Sequence, residues 1–422
     1  MSSEVRGLPL GKALAALIDY RGKTPTKTAS GVKLVTAKVI KGGRIADENH
    51  EFIAEDQYEI WMRRGLPRQW DILITTEAPL GEVAMLRSPE RVALAQRVIL
   101  LRADKAIADQ KYLFQALKSP LVQARLNARA TGTTVLGIKQ SELVQVEIPL
   151  PALSAQRRIA SILSAYDDLI ENNTRRIAIL EEMARRIYEE WFVRFRFPGH
   201  EGVRLLESEL GLVPEGWESV RMDSICARIT DGSHYSPKSV ESGKPMASVK
   251  DMHDWGIELS TCRQIADVEY EKLVRNDCKP KLNDVLIAKD GSYLKHTFVV
   301  DQELDLVILS SIAILRPNGK MAPNQLAMYL RLPDVASRMK GYVSGVAIPR
   351  IVLRDFRQFL VLLAPKEIQG AWASLCDPML SLCRTLVRKN TNLRTTRDLL
   401  LPKLISGELD VSAMPEPEAL AG

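Results

Sequence analysis

The chain has 422 residues, 46% of them hydrophobic, which is long enough for two or more domains with separate cores. It contains no run of 18 apolar residues and no signal-peptide layout near Met1, so no membrane-spanning helix and a cytoplasmic location are expected. With 58 Lys and Arg against 52 Asp and Glu, the net charge of +6 permits a polyanionic partner without requiring one.

Residues 1–152 read as a first globular unit of mixed α/β character. Residues 19–27 (DYRGKTPTK) form a polar loop punctuated by Gly and Pro. Residues 70–75 (WDILIT) and 94–102 (LAQRVILLR) are apolar and β-prone, and each predicts a strand. Residues 111–130 predict a helix broken at Pro120, followed by a polar loop at 130–139 (ATGTTVLGIK). Residues 153–192 predict one long helix, free of Gly and Pro and rich in good helix formers. About 40 residues at 1.5 Å each span roughly 60 Å. Ser154 is the expected N-cap. Ile159, Leu163, Tyr166, Ile170, Asn173, Ile177, Leu180, Ala184, Ile187 and Trp191 recur at steps of four and three, a coiled-coil seam. Residues 193–216, with Pro198, Gly199, Gly211, Pro214 and Gly216, read as a linker.

The second half repeats the first. Asp19 lies over Asp231, Lys38 over Lys250 and Tyr58 over Tyr270, all 212 positions apart. After a one-residue slip, WDILIT lies over NDVLIA (283–288), Gly132 over Gly345 and Ile138 over Ile351, all 213 apart. One register held over more than 100 residues predicts an internal duplication. Residues 217–365 are then a second globular unit, with a strand at 308–316 and a broken helix at 325–343. The same offset places a second long helix at 366–406, with seam Trp372, Cys376, Met379, Cys383, Leu386, Asn390, Leu393, Arg397, Leu400 and Leu404. Pro402 is expected to kink or end it, and Gly407 to stop it. Residues 407–422 form a tail, expected to be disordered at its end. The fold class expected is α+β. Two similar units are separated by an antiparallel two-helix coiled coil and related by a pseudo-two-fold axis.

No catalytic constellation emerges. Gly22-Lys23-Thr24 supplies the end of a phosphate loop, but Leu17 stands where its first Gly belongs. A dinucleotide Gly motif, Pro-Pro, G-x-S-x-G and H-E-x-x-H are all missing. Asp109-Gln110-Lys111 fits the loose D-x-K of nucleases, but its repeat counterparts include Ala322 and Asn324. Five Cys without C-x-x-C and five His without zinc-ligand spacing predict free thiols and no metal site.

Two related units at a fixed separation suit two short sites on duplex DNA, and their different sequences predict an asymmetric target. Polar loops at equivalent positions supply the candidate contacts. In the first unit these are Lys23, Thr24, Lys27, Lys38, Thr133, Thr134 and Lys139. In the second they are Ser233, His234, Tyr235, Lys238, Lys250, Ser292, Tyr293, Lys295 and Arg350. Lys and Arg are expected at phosphates, and Ser, Thr, His and Tyr at bases. A stand-alone nuclease or methyltransferase and a coiled-coil scaffold that binds no DNA are the competing readings.

Four segments in order resemble type I restriction–modification specificity subunits. They are Ile148-Pro149-Leu150-Pro151 running into Gln156 and Ile159-Ala160, Trp191-Phe192-Val193, Leu210-Gly211 with Pro214 and Gly216-Trp217, and Leu401-Pro402-Lys403-Leu404-Ile405-Ser406-Gly407-Glu408-Leu409. Ala155 replaces a usual Glu, and 363–369 is a looser match to the corresponding exit from the second unit. The resemblance implies a non-catalytic subunit whose two target-recognition domains bind the halves of a bipartite DNA site. It also implies two methylation subunits using S-adenosylmethionine and two restriction subunits using ATP and Mg²⁺, with no cofactor held by this chain.

Overall fold

The computed structural model describes residues 6–20, 24–46, 50–290, 295–342 and 351–414. Two compact units partition the chain, Met1–Asn172 together with Asn390–Gly422, and Asn173–Lys389. Both boundaries fall inside the long helices, Leu153–Tyr188 and Lys366–Ser406, so each unit owns part of each helix.

In the first unit a four-stranded antiparallel sheet runs in the order Leu14–Asp19, Val98–Ala103, Ile72–Thr76, Leu80–Met85. A three-stranded sheet has Val32–Val35 at its centre, antiparallel to Glu51–Ile53 and parallel to Val92–Leu94. Helices Gln110–Lys118 and Pro120–Ala128 cover the larger sheet through Tyr112, Leu113, Leu117 and Leu126, all fully buried. The stretch 94–102, expected as one strand, is split: its two ends belong to different sheets, and Ala95–Arg97 turn the chain between them. Asp109 accepts a hydrogen bond from the Tyr112 amide at 2.9 Å, so the D-x-K triplet is a helix N-cap.

The second unit has the same strand order. Cys226–Asp231, Ile312–Pro317, Val285–Ala288 and Thr297–Val299 form the larger sheet. Lys244–Ala247 is flanked by antiparallel Arg263–Ile265 and parallel Val307–Ile308. The stretch 308–316 is therefore split as well. Helices Pro323–Arg331 and Pro333–Lys340 replace the single broken helix. One fold device recurs in detail. Arg102 grips Asp71 through Nε (2.7 Å) and Nη2 (2.6 Å), and Arg316 grips Asp284 at 2.7 and 2.9 Å. The preceding residues, Trp70 (φ 73°) and Asn283 (φ 68°), share the left-handed backbone.

Within each unit the two long helices run antiparallel. In the first, Ile159, Ala160 and Leu163 bury with Leu401, Leu404 and Ile405, and the Asn390 amide donates to the Ile170 carbonyl at 3.2 Å. In the second, Trp372 packs edge-on against Tyr188 at 5.5 Å, while the Cys383 thiol meets the Ile177 carbonyl at 3.7 Å.

Several seam details differ from expectation. Ile159, Leu163, Ile170, Trp372, Cys376, Cys383 and Leu386 are buried, whereas Tyr166, Ile177, Leu180, Leu393 and Leu400 are half-buried. Ile187 and Met379 are half-buried too, and their neighbours Tyr188 and Leu380 bury instead, as does Leu401 beside Leu400. A straight helix at 3.6 residues per turn drifts from a strict heptad by about 20° per repeat, which moves the buried stripe by one position. The central helix starts at Leu153, so Ser154 lies in its first turn rather than capping it, and a π turn at Glu189–Val193 follows its end. The C-terminal helix carries Pro402 without ending and stops at Gly407 (φ 79°).

Candidate nucleic-acid interface

Loops gather at the end of the larger sheet where the Leu14–Asp19 and Ile72–Thr76 strands finish. In the first unit the Thr76 amide donates to the Arg97 carbonyl (3.0 Å), and the Ile138 amide donates to the Thr76 carbonyl (3.0 Å). The second of these clamps the 131–139 loop onto the sheet. Thr131 and Gly137 close the loop with two mutual backbone bonds of 2.8 and 2.9 Å. Gly132 (φ 123°) is required there, because a Cβ would sit 2.1 Å from the Val135 carbonyl oxygen. The closed loop presents Thr133, Thr134, Val135 and Leu136 to solvent, with Lys139 exposed at its base. Beside it Arg97 pairs with Glu77 at 2.6 Å. A groove of about 700 Å³ on the other side holds Arg125, Arg129, Lys139 and Glu142. Arg129 is paired to Glu142 at 2.9 Å and Arg125 donates to the Glu147 carbonyl, so among these lining cations Lys139 is left for an outside anion.

Thr24 lines a second cavity of about 660 Å³ with Tyr20, Trp61, Arg63 and Arg64. Tyr20 stacks on Trp61 at 6.1 Å, and burial pushes its phenol above the usual range, with the Arg64 and Gly65 backbones opposing. Lys27 is half-exposed and bonded to Glu51 at 2.8 Å, so a phosphate would have to compete for it. Lys38, in the 3-10 turn Ala37–Val39, is exposed.

The second unit repeats the clamp. The Ile351 amide donates to the Lys289 carbonyl (3.1 Å) and the Lys289 amide to the Ser311 carbonyl (3.0 Å). Lys250, in the 3-10 turn Val249–Asp251, is exposed like Lys38 in the first unit. His234, Tyr235, Lys238 and Lys295 are exposed, and the Lys272 ammonium lies 5.4 Å from the Tyr235 ring centre. Ser233 corrects the sequence reading. It is 7% exposed, and its hydroxyl donates to the Tyr235 carbonyl (2.6 Å) and accepts from the Tyr235 amide (3.1 Å), so it builds the turn and is withdrawn from bases. Lys23, Ser292, Tyr293 and Arg350 lie outside the described residues.

Sequence reasoning missed Lys289, Asp231, Arg97 and Glu77. Lys289 is buried at the position where the first unit has Thr76, and its ammonium lies 3.2 Å from Asp231. The repeat register alone flags it, as a charge where the sister strand ends in a neutral residue. No group of three or more metal-ligating side chains occurs among the described residues, and none of their helices is long and apolar enough to cross a membrane.

A family model for the type I restriction modification DNA specificity domain matches residues 66–182. The MjaIX specificity subunit of Methanocaldococcus jannaschii is 28% identical over 350 residues, covering 81% of this chain and 78% of that relative. The EcoBI specificity subunit of Escherichia coli is 21% identical over 353 residues, covering 79% and 73%. The crystal structure of a type I restriction–modification S subunit from M. genitalium aligns with a TM-score of 0.59 at 17% identity, over 95% of this chain and 96% of that one, a likeness of fold. All of these are DNA-specificity components of restriction–modification systems, and that is the class of protein this chain is similar to. Within that class, the relatives this chain resembles along most of its length are type I specificity subunits.

Proposed function

We propose that this chain reads the DNA target of a type I restriction–modification complex, each unit binding one half of a bipartite, asymmetric duplex site. It is non-catalytic. The observation that carries the reading is one sheet plan built twice, with the same Asp–Arg device and loop clamp, under loops of different chemistry. A shared scaffold with divergent loops is what two different half-sites require. The recurring topology and the 213-residue register support an internal duplication. Lys27, Lys38, Lys139, Lys238, Lys250 and Lys295 are assigned to phosphates, and Thr24, Thr133, Thr134, His234 and Tyr235 to bases. The two long helices are assigned the role of fixing the gap between half-sites. Two methylation subunits carrying S-adenosylmethionine, and two restriction subunits using ATP and Mg²⁺, complete a cytoplasmic assembly in which this chain holds no cofactor.

The test is duplex binding by the chain assembled with its methylation subunits. Affinity for one bipartite sequence should fall steeply with salt, because Lys and Arg at phosphates release counterions. Inserting four residues after Thr174 should change the gap and leave the half-sites intact. Altered half-site bases would overturn the reading.

A further inference from the structure

The second unit buries a charge pair that the first unit lacks. Asp231 ends the edge strand of the larger sheet, and Lys289 directly follows Val285–Ala288 two strands away. The Lys289 side chain is 6% exposed and the Asp231 side chain 9%, and their charged atoms are 3.2 Å apart. Lys289 also approaches Asp290 at 3.4 Å. Burying such a pair costs desolvation that its attraction only partly repays. The first unit dispenses with it, since Thr76 stands in place of Lys289 and its hydroxyl donates to the Arg97 carbonyl at 3.3 Å. The pair therefore serves something particular to this unit.

What it touches is His234. The imidazole Nε2 lies 3.3 Å from the Asp231 carboxylate, while the His234 side chain is 75% exposed. A carboxylate only accepts, so Nε2 donates to it, and Nδ1 is the ring nitrogen left for an outside group. The turn beneath is rigid. Ser233 bonds Tyr235 twice, and a Cβ on Gly232 would meet the Ile308 carbonyl oxygen at 2.1 Å.

We propose that His234 reads one base pair of the second half-site through its Nδ1, with Asp231 and Lys289 as its positioning residues. This rests on the specificity reading above. Lys289 holds the carboxylate in place, the carboxylate fixes the ring, and the ring presents one nitrogen in one direction.

The test uses the full chain assembled with its methylation subunits and duplexes in which every base pair of both half-sites is replaced in turn. His234→Ala should lose about ten-fold discrimination at one base pair of the second half-site and none in the first. Asp231→Asn and Lys289→Met should lose it at that same base pair, and Asp231→Asn should add nothing to His234→Ala. Unchanged discrimination in His234→Ala would overturn the proposal. So would an equal loss of affinity for all duplexes in Asp231→Asn, which marks a merely structural pair. If Lys289→Met fails to fold, Asp231→Asn and the exposed His234→Ala still decide. If the unaltered complex shows no bipartite discrimination, the specificity reading itself falls, and this inference with it.

Discussion

Asp167 of the central helix is the acid at the centre of a buried polar knot in the first unit, and its removal should be costly. Its carboxylate meets Arg397 of the C-terminal helix at 2.6 Å, Lys118 at 3.6 Å, and the Gln115 side-chain amide at 2.7 Å. The three charged side chains are 11–15% exposed. Burial pushes the Asp167 carboxyl up, but Lys118, Gln115 and Arg397 together outweigh it and hold the group below the usual carboxylate range. Burial draws the Lys118 ammonium down, with Asp167 opposing. Asp167→Ala leaves two cations facing each other with little water, a loss of about 3–5 kcal/mol for breaking a buried pair. In a unit of about 200 residues this lowers the melting temperature by roughly 6–20 °C. The assay is thermal and urea unfolding of the full chain. Because the folded-state pKa is depressed, the stabilisation is present above the unfolded value near 4 and is lost as pH falls through the folded value. The gap between wild type and Asp167→Asn should therefore be wide at pH 7 and close in acid. A cost for Asp167→Ala under about 1 kcal/mol, or a gap independent of pH, would refute the reasoning.

Other outcomes follow from the same structure. Trp372→Ala, at a fully buried site against Tyr188 and Phe192, should cost about 3–5 kcal/mol in urea unfolding, and Trp372→Phe clearly less. Asp71→Ala removes the acid that grips Arg102 and should cost about 3–5 kcal/mol in the same unfolding assay, and Asp284→Ala should cost less, because Arg316 keeps Asp277 at 3.7 Å. The five cysteines are buried, and burial pushes Cys226, Cys262 and Cys376 up to about 12 and Cys383 to about 11. A thiol reagent at pH 8 should therefore label the native chain only on unfolding, and rapid native labelling would contradict this.

Much of the scaffold was readable because repetition supplies a second copy of each signal. The register aligned Asp71 with Asp284 and Ile138 with Ile351, and the structure gives each pair the same hydrogen bonds. What escaped is what one chain position cannot report. Residues 94–102 look like one apolar strand, since nothing in Ala95-Gln96-Arg97 marks a change of sheet. Arg397 looks like a flaw in an apolar seam until Asp167, 230 positions earlier, is seen to neutralise it. Ser233 and His234 are adjacent polar residues in sequence. Only the fold turns one inward to close the turn and leaves the other exposed. The Lys289–Asp231 pair depends on strands brought together by sheet order, which composition and spacing do not encode.

The central claim is that one chain reads two different half-sites. Its most direct test is to express the full chain with its methylation subunits in a host lacking such a system and map N6-methyladenine at single-molecule resolution. The expected result is one motif of two unlike short halves separated by a fixed number of unread bases, absent when this chain is omitted. A contiguous or palindromic motif, or the same methylation without this chain, would contradict the account.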